Sequence, residues 1–281
     1  KWHKLRDVVR DLYPDAWTAD PLVKRAVAIE GIPATGRVGL FNVLDALSEP
    51  IESQYPQPME DLGQAYGYTL YTTTIERDVA EGAEERIRVI DGRDRAKVYV
   101  EGTCVATQYQ EHIGEDIKCA LPARENRLDI LMENMGRVGY GHKLLADTQR
   151  KGIRTGVCVD LHFITGWEQR ALPLTDISGI DFSAGFVEGQ PAFHRFEFTL
   201  DEPSDTFIDT TGFGKGCAFV NGVNVGRFWG IGPIMTLFVP HGLTHAGANE
   251  LVLFETEGVY EGTISLRSEP LIRHLDQEGV E

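Results

Sequence analysis

Two histidines four residues apart, His241 and His245, have the spacing of a helical metal-ligand pair. Pro240, Gly242 and Ala246-Gly247 deny them a helix, so the pair reads as an exposed loop. His3, His112, His142, His162, His194 and His274 show no ligand spacing, and neither a metal nor a cofactor is expected. The run Gly212-Phe213-Gly214-Lys215-Gly216 superficially looks like a nucleotide loop. However, Cys217 stands where the third glycine belongs, and the run enters a strand rather than a helix. No G-x-S-x-G elbow is present to anchor a hydrolase triad. Glycoside hydrolysis needs two carboxylates about 5–9 Å apart. The 43 acidic residues contain no pair in a recognisable catalytic setting, and Asp205, Asp209 and Glu255 read as solvated or turn-forming. Cys104, Cys119, Cys158 and Cys217 lack any C-x-x-C pairing and read as small buried hydrophobes. With no N-x-S/T sequon either, the expectation is a cytoplasmic, reducing compartment.

The 281 residues, 42% of them hydrophobic, suffice for packed cores and suggest two domains. The 27 basic and 43 acidic residues sum to −16, a charge that repels phosphate backbones and argues against a nucleic-acid partner. No apolar run approaches the roughly 18 residues of a membrane span, so no membrane partner is expected. Trp2, Leu5, Val9 and Leu12 predict a helix that stops at Tyr13-Pro14. From Asp15 to Pro58 proline recurs and periodicity fades, which reads as a long connector with little core of its own. That oddity, and a first residue that is Lys1, suggest a missing preceding domain. Beyond Pro58 come short strand-like runs separated by Gly, Asp and Asn, among them Gly67–Ile75, Arg127–Met132, Phe193–Leu200 and Glu250–Phe254. The fold class is all-β, with no strand–helix alternation to support a Rossmann domain or an α/β barrel.

An internal repeat refines this. Val98-Tyr99-Val100-Glu101-Gly102 is echoed by Ala218-Phe219-Val220-Asn221-Gly222. A strand launched by Asn126 follows the first glycine by 24 residues, and one launched by Asn249 follows the second by 27. Two copies imply tandem β-sandwiches. The hairpin-then-strand pattern resembles the galactose-binding-type jelly roll. Tyr66, Tyr68, Tyr71, Trp167 and Phe228-Trp229 could stack on sugar rings, although aromatics in strand-rich domains more often pack cores.

A longer set of ordered runs carries a family resemblance. Pro58-Met59-Glu60-Asp61-Leu62-Gly63-Gln64-Ala65-Tyr66-Gly67-Tyr68-Thr69-Leu70-Tyr71 and Glu133-Asn134-Met135-Gly136-Arg137-Val138-Gly139-Tyr140-Gly141 resemble two stretches of glycoside hydrolase family 35 β-galactosidases. Gly166-Trp167-Glu168, Gly212 to Gly216, Phe219 to Gly222, Gly226-Arg227-Phe228-Trp229 and Phe254-Glu255-Thr256-Glu257-Gly258 follow in the family's order. Gly139 departs from the family's Asn, and Asp160-Leu161 from its frequent Asp-Gly.

The resemblance implies a parent with an N-terminal (β/α)8 barrel bearing two catalytic glutamates, both absent from this sequence. No Glu here inherits either role, so the chain alone should be inactive. It implies a barrel-helix remnant and connector over 1–58, a first jelly-roll domain over 59–175 and a second, galactose-binding-like one over 176–281. The parent would be a retaining hydrolase of terminal β-galactosyl residues, and these domains would brace the barrel and shape the pocket entrance. An independent carbohydrate-binding module, or a structural spacer without sugar affinity, are the alternatives. The partners implied are β-galactosides through the parent and the missing barrel, with a homo-oligomer left open. The one candidate substrate contact is Tyr140, against the alternative that Met135–Gly141 is only a tight loop packed between domains.

Overall fold

The repeated sequence pattern folds twice into the same hairpin. In a computed structural model, which describes residues 2–15, 26–76 and 84–273, Arg95–Val100 pairs with Thr103–Tyr109 and Lys215–Val220 with Val223–Trp229. Each turn holds its two central residues at positive φ: Glu101 at 48° and Gly102 at 73°, Asn221 at 49° and Gly222 at 80°. This is the turn geometry that follows the natural twist of paired strands. The register shifts at equivalent places, between Val98 and Tyr99 and between Ala218 and Phe219. In each copy the first turn residue then clips the next strand. Arg127 N donates to Glu101 Oε1 at 2.5 Å, and Glu250 N donates to Asn221 Oδ1 at 2.9 Å. Asn126 and Asn249, both buried, tie the preceding loops through their amides.

Around these hairpins two sandwiches form. The first packs a six-stranded sheet, with Tyr68–Glu76 and Glu125–Glu133 at its centre, on a four-stranded sheet containing Glu84–Arg93 and Gly152–Val159. Tyr71, Ile75, Val98, Ile130 and Trp167 fill the space between them. The second is built on Ala192–Leu200, Lys215–Val220 and Gly247–Glu255, facing Thr206–Asp209, Thr236–Val239 and Thr263–Arg267 over a core that includes Phe196, Phe228 and Leu253.

The expected connector carries a strand. Ile29–Gly39 pairs through Ile29, Ile32 and Pro33 with Thr263–Arg267, then through Ala34 to Gly39 with Ala192–Leu200. It thereby stitches the two layers of the second sandwich, although it precedes the first sandwich in the chain. A proline and glycines obscured it: Pro33 leaves one backbone position without a donor, and Gly31, at φ 65°, breaks the alternation. Ile51–Ser53 likewise adds an edge to the first sandwich by pairing with Trp167–Leu172. The predicted helix forms over Trp2–Leu12 and buries none of its residues. Among the described residues no helix is long and apolar enough to cross a membrane.

A third apolar cluster lies between the sandwiches. Tyr68, Leu70, Tyr99 and Leu131 from the outer face of the first meet Phe193, Phe219, Val252 and Phe254 of the second. Strand Tyr68–Glu76 is therefore buried on both faces at its start, which explains why its first four residues do not alternate.

Candidate functional site

Strand Glu125–Glu133 ends at the seam between the sandwiches and releases the loop that carries Tyr140. The loop is pinned at its root. Asn134 N donates to Gly67 O at 3.0 Å and its Nδ2 to Ala65 O at 3.1 Å, while Gly136 N donates back to Asn134 Oδ1 at 3.0 Å. Met135 N donates to Asp94 Oδ2 at 2.8 Å, and Asp94 is itself held by Lys151 Nζ at 2.7 Å. Arg137 Nε donates to Ala65 O at 2.9 Å, and its guanidinium also pairs with Glu60. Beyond this anchorage the tip is free of packing: Tyr140 is 91% exposed, flanked by Gly139 and Gly141 with open space around both. Val138, Leu144 and Leu145 are exposed on the same loop. The root of the loop is packed between elements and the tip projects into solvent.

Behind the loop root lies a buried ionic cluster joining the two sandwiches. Glu133 accepts from Arg95 Nη1 at 3.0 Å through Oε2, and Lys215 Nζ pairs with Oε1. Glu257 binds the other side of Arg95 and accepts from Lys97 Nζ at 2.9 Å. Arg95 Nη1 also donates to Thr256 Oγ1 at 3.3 Å. Burial pushes the Lys215 ammonium down, and Glu133 only partly offsets this. Burial would raise the Glu257 carboxyl, but Arg95 and Lys97 outweigh it and hold it below the usual carboxylate range. Trp229 stacks on Tyr109 at 5.7 Å and lies 4.8 Å beneath Lys215 Nζ, walling the cluster.

Several expectations change here. Glu255 is fully buried, not solvated: it accepts from Lys215 N, Glu257 N and Val259 N at 3.2, 3.0 and 2.9 Å. Asp205 is also buried and accepts from both His241 N and His241 Nδ1. Cys104 is exposed, Cys119 and Cys158 are half-buried, and only Cys217 is fully buried. His241 sits in a short 3-10 turn and His245 in the loop after it. Among the described residues no group of three or more potential ligands could hold a metal ion. Tyr68, Tyr71 and Trp167 are core residues, and Tyr66 is half exposed beside the loop root. Glu133, Lys215 and Glu257 all lie inside runs singled out in the sequence, yet nothing in the linear order indicated that they meet.

Residues 56–174 match the family model of the β-galactosidase first all-β domain, and residues 191–249 match that of the β-galactosidase galactose-binding domain. The chain belongs to the β-galactosidase family. A β-galactosidase of Xanthomonas manihotis is 36% identical over 78% of this chain and 36% of its own length. β-Galactosidase 1 of Dictyostelium discoideum is 32% identical over 82% of this chain and 37% of its own. The chain thus spans little more than a third of those relatives, consistent with the C-terminal all-β region of a family 35 enzyme. Among solved structures, a GH2 β-galacturonidase from Eisenbergiella tayi is 12% identical over 81% of this chain and 38% of its own, with a TM-score of 0.29.

Proposed function

We propose that the chain is the non-catalytic all-β portion of a retaining β-galactosidase acting on terminal β-galactosyl residues, that it braces the catalytic domain, and that Tyr140 shapes the pocket entrance. The observation that carries this reading is an aromatic side chain held 91% exposed on a loop pinned by at least five hydrogen bonds at its root. A rigid scaffold presenting an aromatic into solvent suits a contact made across a domain boundary, where a phenol can pack on a sugar face and hydrogen-bond at its edge. Leu145, 94% exposed beside it, suits the bracing role, since a large apolar side chain gains by being covered.

In the full-length parent, Tyr140→Ala is expected to lower kcat/KM by roughly 5- to 30-fold at unchanged Tm. Tyr140→Phe separates stacking from the phenol hydrogen bond. Wild-type kcat/KM in Tyr140→Ala would remove Tyr140 from the pocket. Leu145→Asp tests bracing: it should lower the Tm of the parent and leave that of the 281-residue chain unchanged.

A further inference from the structure

A cavity of about 740 Å³ opens at the seam between the sandwiches, lined by Tyr66, Tyr68, Glu133, Cys217, Asn224 and Arg227 among others. Two of these side chains lack the partners their surroundings would lead one to expect. Tyr68 is 3% exposed, and its buried Oη has no oxygen or nitrogen partner, only the weakly bonding sulfur of Cys217 beside it. A hydroxyl at that depth facing only a thiol is poorly satisfied, and a ligand oxygen would be the better acceptor. Arg227 has no carboxylate partner among the described residues, in a chain carrying 43 acidic residues. Among the described residues its side chain makes one hydrogen bond, from Nη1 to Asn134 O at 3.1 Å, which anchors the guanidinium and leaves donors for another acceptor. Its charge reaches the cavity floor, where it acts on both Tyr68 and Cys217.

We propose that this cavity binds a small hydroxylated carboxylate of about monosaccharide size, with Arg227 taking the carboxylate and Tyr68 Oη donating to a ligand oxygen. Glu133 does not repel such a ligand, because Arg95 and Lys215 hold its two carboxylate oxygens. Arg137, on the same wall, is already matched by Glu60, so Arg227 supplies the unbalanced charge. Burial keeps the Tyr68 phenol protonated, and therefore a donor, at any physiological pH. Burial likewise pushes the Cys217 thiol up to about 12, so it contributes an apolar wall rather than a nucleophile. The half-exposed Tyr66 ring offers a face to the carbon skeleton. The net charge of −16 slows the approach of an anion, so affinity depends on these local contacts. The proposal does not depend on the parent's reaction.

Calorimetric titration of the 281-residue chain with D-gluconate, sorbitol and inorganic phosphate tests it, since gluconate and sorbitol differ in the carboxylate. Gluconate should bind saturably at one site, about tenfold or more tighter than sorbitol. Arg227→Gln should weaken gluconate binding about tenfold at unchanged Tm, and Tyr68→Phe by roughly two- to tenfold with no loss of Tm. Sorbitol binding as tightly as gluconate would make this a neutral polyol site and overturn the proposal. So would phosphate binding as tightly as gluconate, an unchanged affinity in Arg227→Gln, or no saturation by gluconate.

Discussion

Lys215 and Glu133 form an ion pair across the seam between the two sandwiches, with their side chains only 4% and 2% exposed. Lys215 stands at the start of the second sandwich's hairpin and Glu133 at the end of a central strand of the first. Arg95 and Glu257 extend the pair into a chain of alternating charges. An apolar cluster running from Tyr68 to Phe254 lies alongside it. The apolar contact supplies most of the attraction between the sandwiches, and the ionic chain restricts how they can meet, because any other docking would strand a buried charge.

Removing one partner of this pair should therefore cost far more than a surface ion pair does. Glu133→Gln and Lys215→Met are each expected to destabilise the chain by about 3–5 kcal/mol in urea unfolding. The double variant should recover part of that loss. Single variants within about 0.5 kcal/mol of wild type would contradict the burial seen here.

The shared cluster also predicts cooperativity. Both sandwiches should unfold in one calorimetric transition, and a variant lacking residues 1–40 should lose that transition, because it lacks the strand stitching the second sandwich. Two separated transitions in the full chain would show that the interface is weaker than its packing implies.

Gly216 lies in the strand Lys215–Val220, where an added Cβ would sit 1.8 Å from Phe254 O. No side-chain rearrangement relieves a clash with backbone, so Gly216→Ala should cost about 3 kcal/mol or more, or prevent folding. Expression yield and Tm would report it.

His194 is 1% exposed, with neither ring nitrogen bonded, stacked on Tyr260 at 5.4 Å. Burial, helped by Arg37 on the neighbouring strand, lowers it from 6.5 to about 4. The unfolded chain therefore binds the extra proton first. Its stabilising contribution is complete above pH 6.5 and is lost as pH falls toward 4, by up to about 3 kcal/mol. His194→Phe should flatten this part of the stability–pH curve and raise stability by about 1 kcal/mol even at pH 7, by removing the unpaired nitrogens. An unchanged slope between pH 6.5 and 4 would exclude His194 as its source.

The 281-residue chain by itself should leave a chromogenic β-galactoside intact, because its sequence places no carboxylate pair in a recognisable catalytic setting. Turnover that follows the protein peak through purification would refute this.

Much of the architecture was legible in the residues themselves. The repeated hairpins followed from Asn221-Gly222, whose residues both take positive φ readily, and from the parallel run ending in Gly102, where only the glycine does so without strain. The strands followed from runs such as Phe193 to Leu200, and the family from ordered motifs spread over two thirds of the chain. These are local signals, written in neighbouring residues. Three features depended on tertiary structure. Ile29–Gly39 joins partners more than 150 positions away, and its proline and glycines erase the alternation that marks a strand. Glu133, Arg95, Lys215 and Glu257 become a cluster only when two sheets face each other, since charged residues read singly suggest solvent. The exposure of Tyr140, against the burial of Tyr68 from a similar Gly-rich run, reflects where each backbone lies relative to the seam between the sandwiches. Burial is a property of the whole packed surface, and no window of sequence contains it.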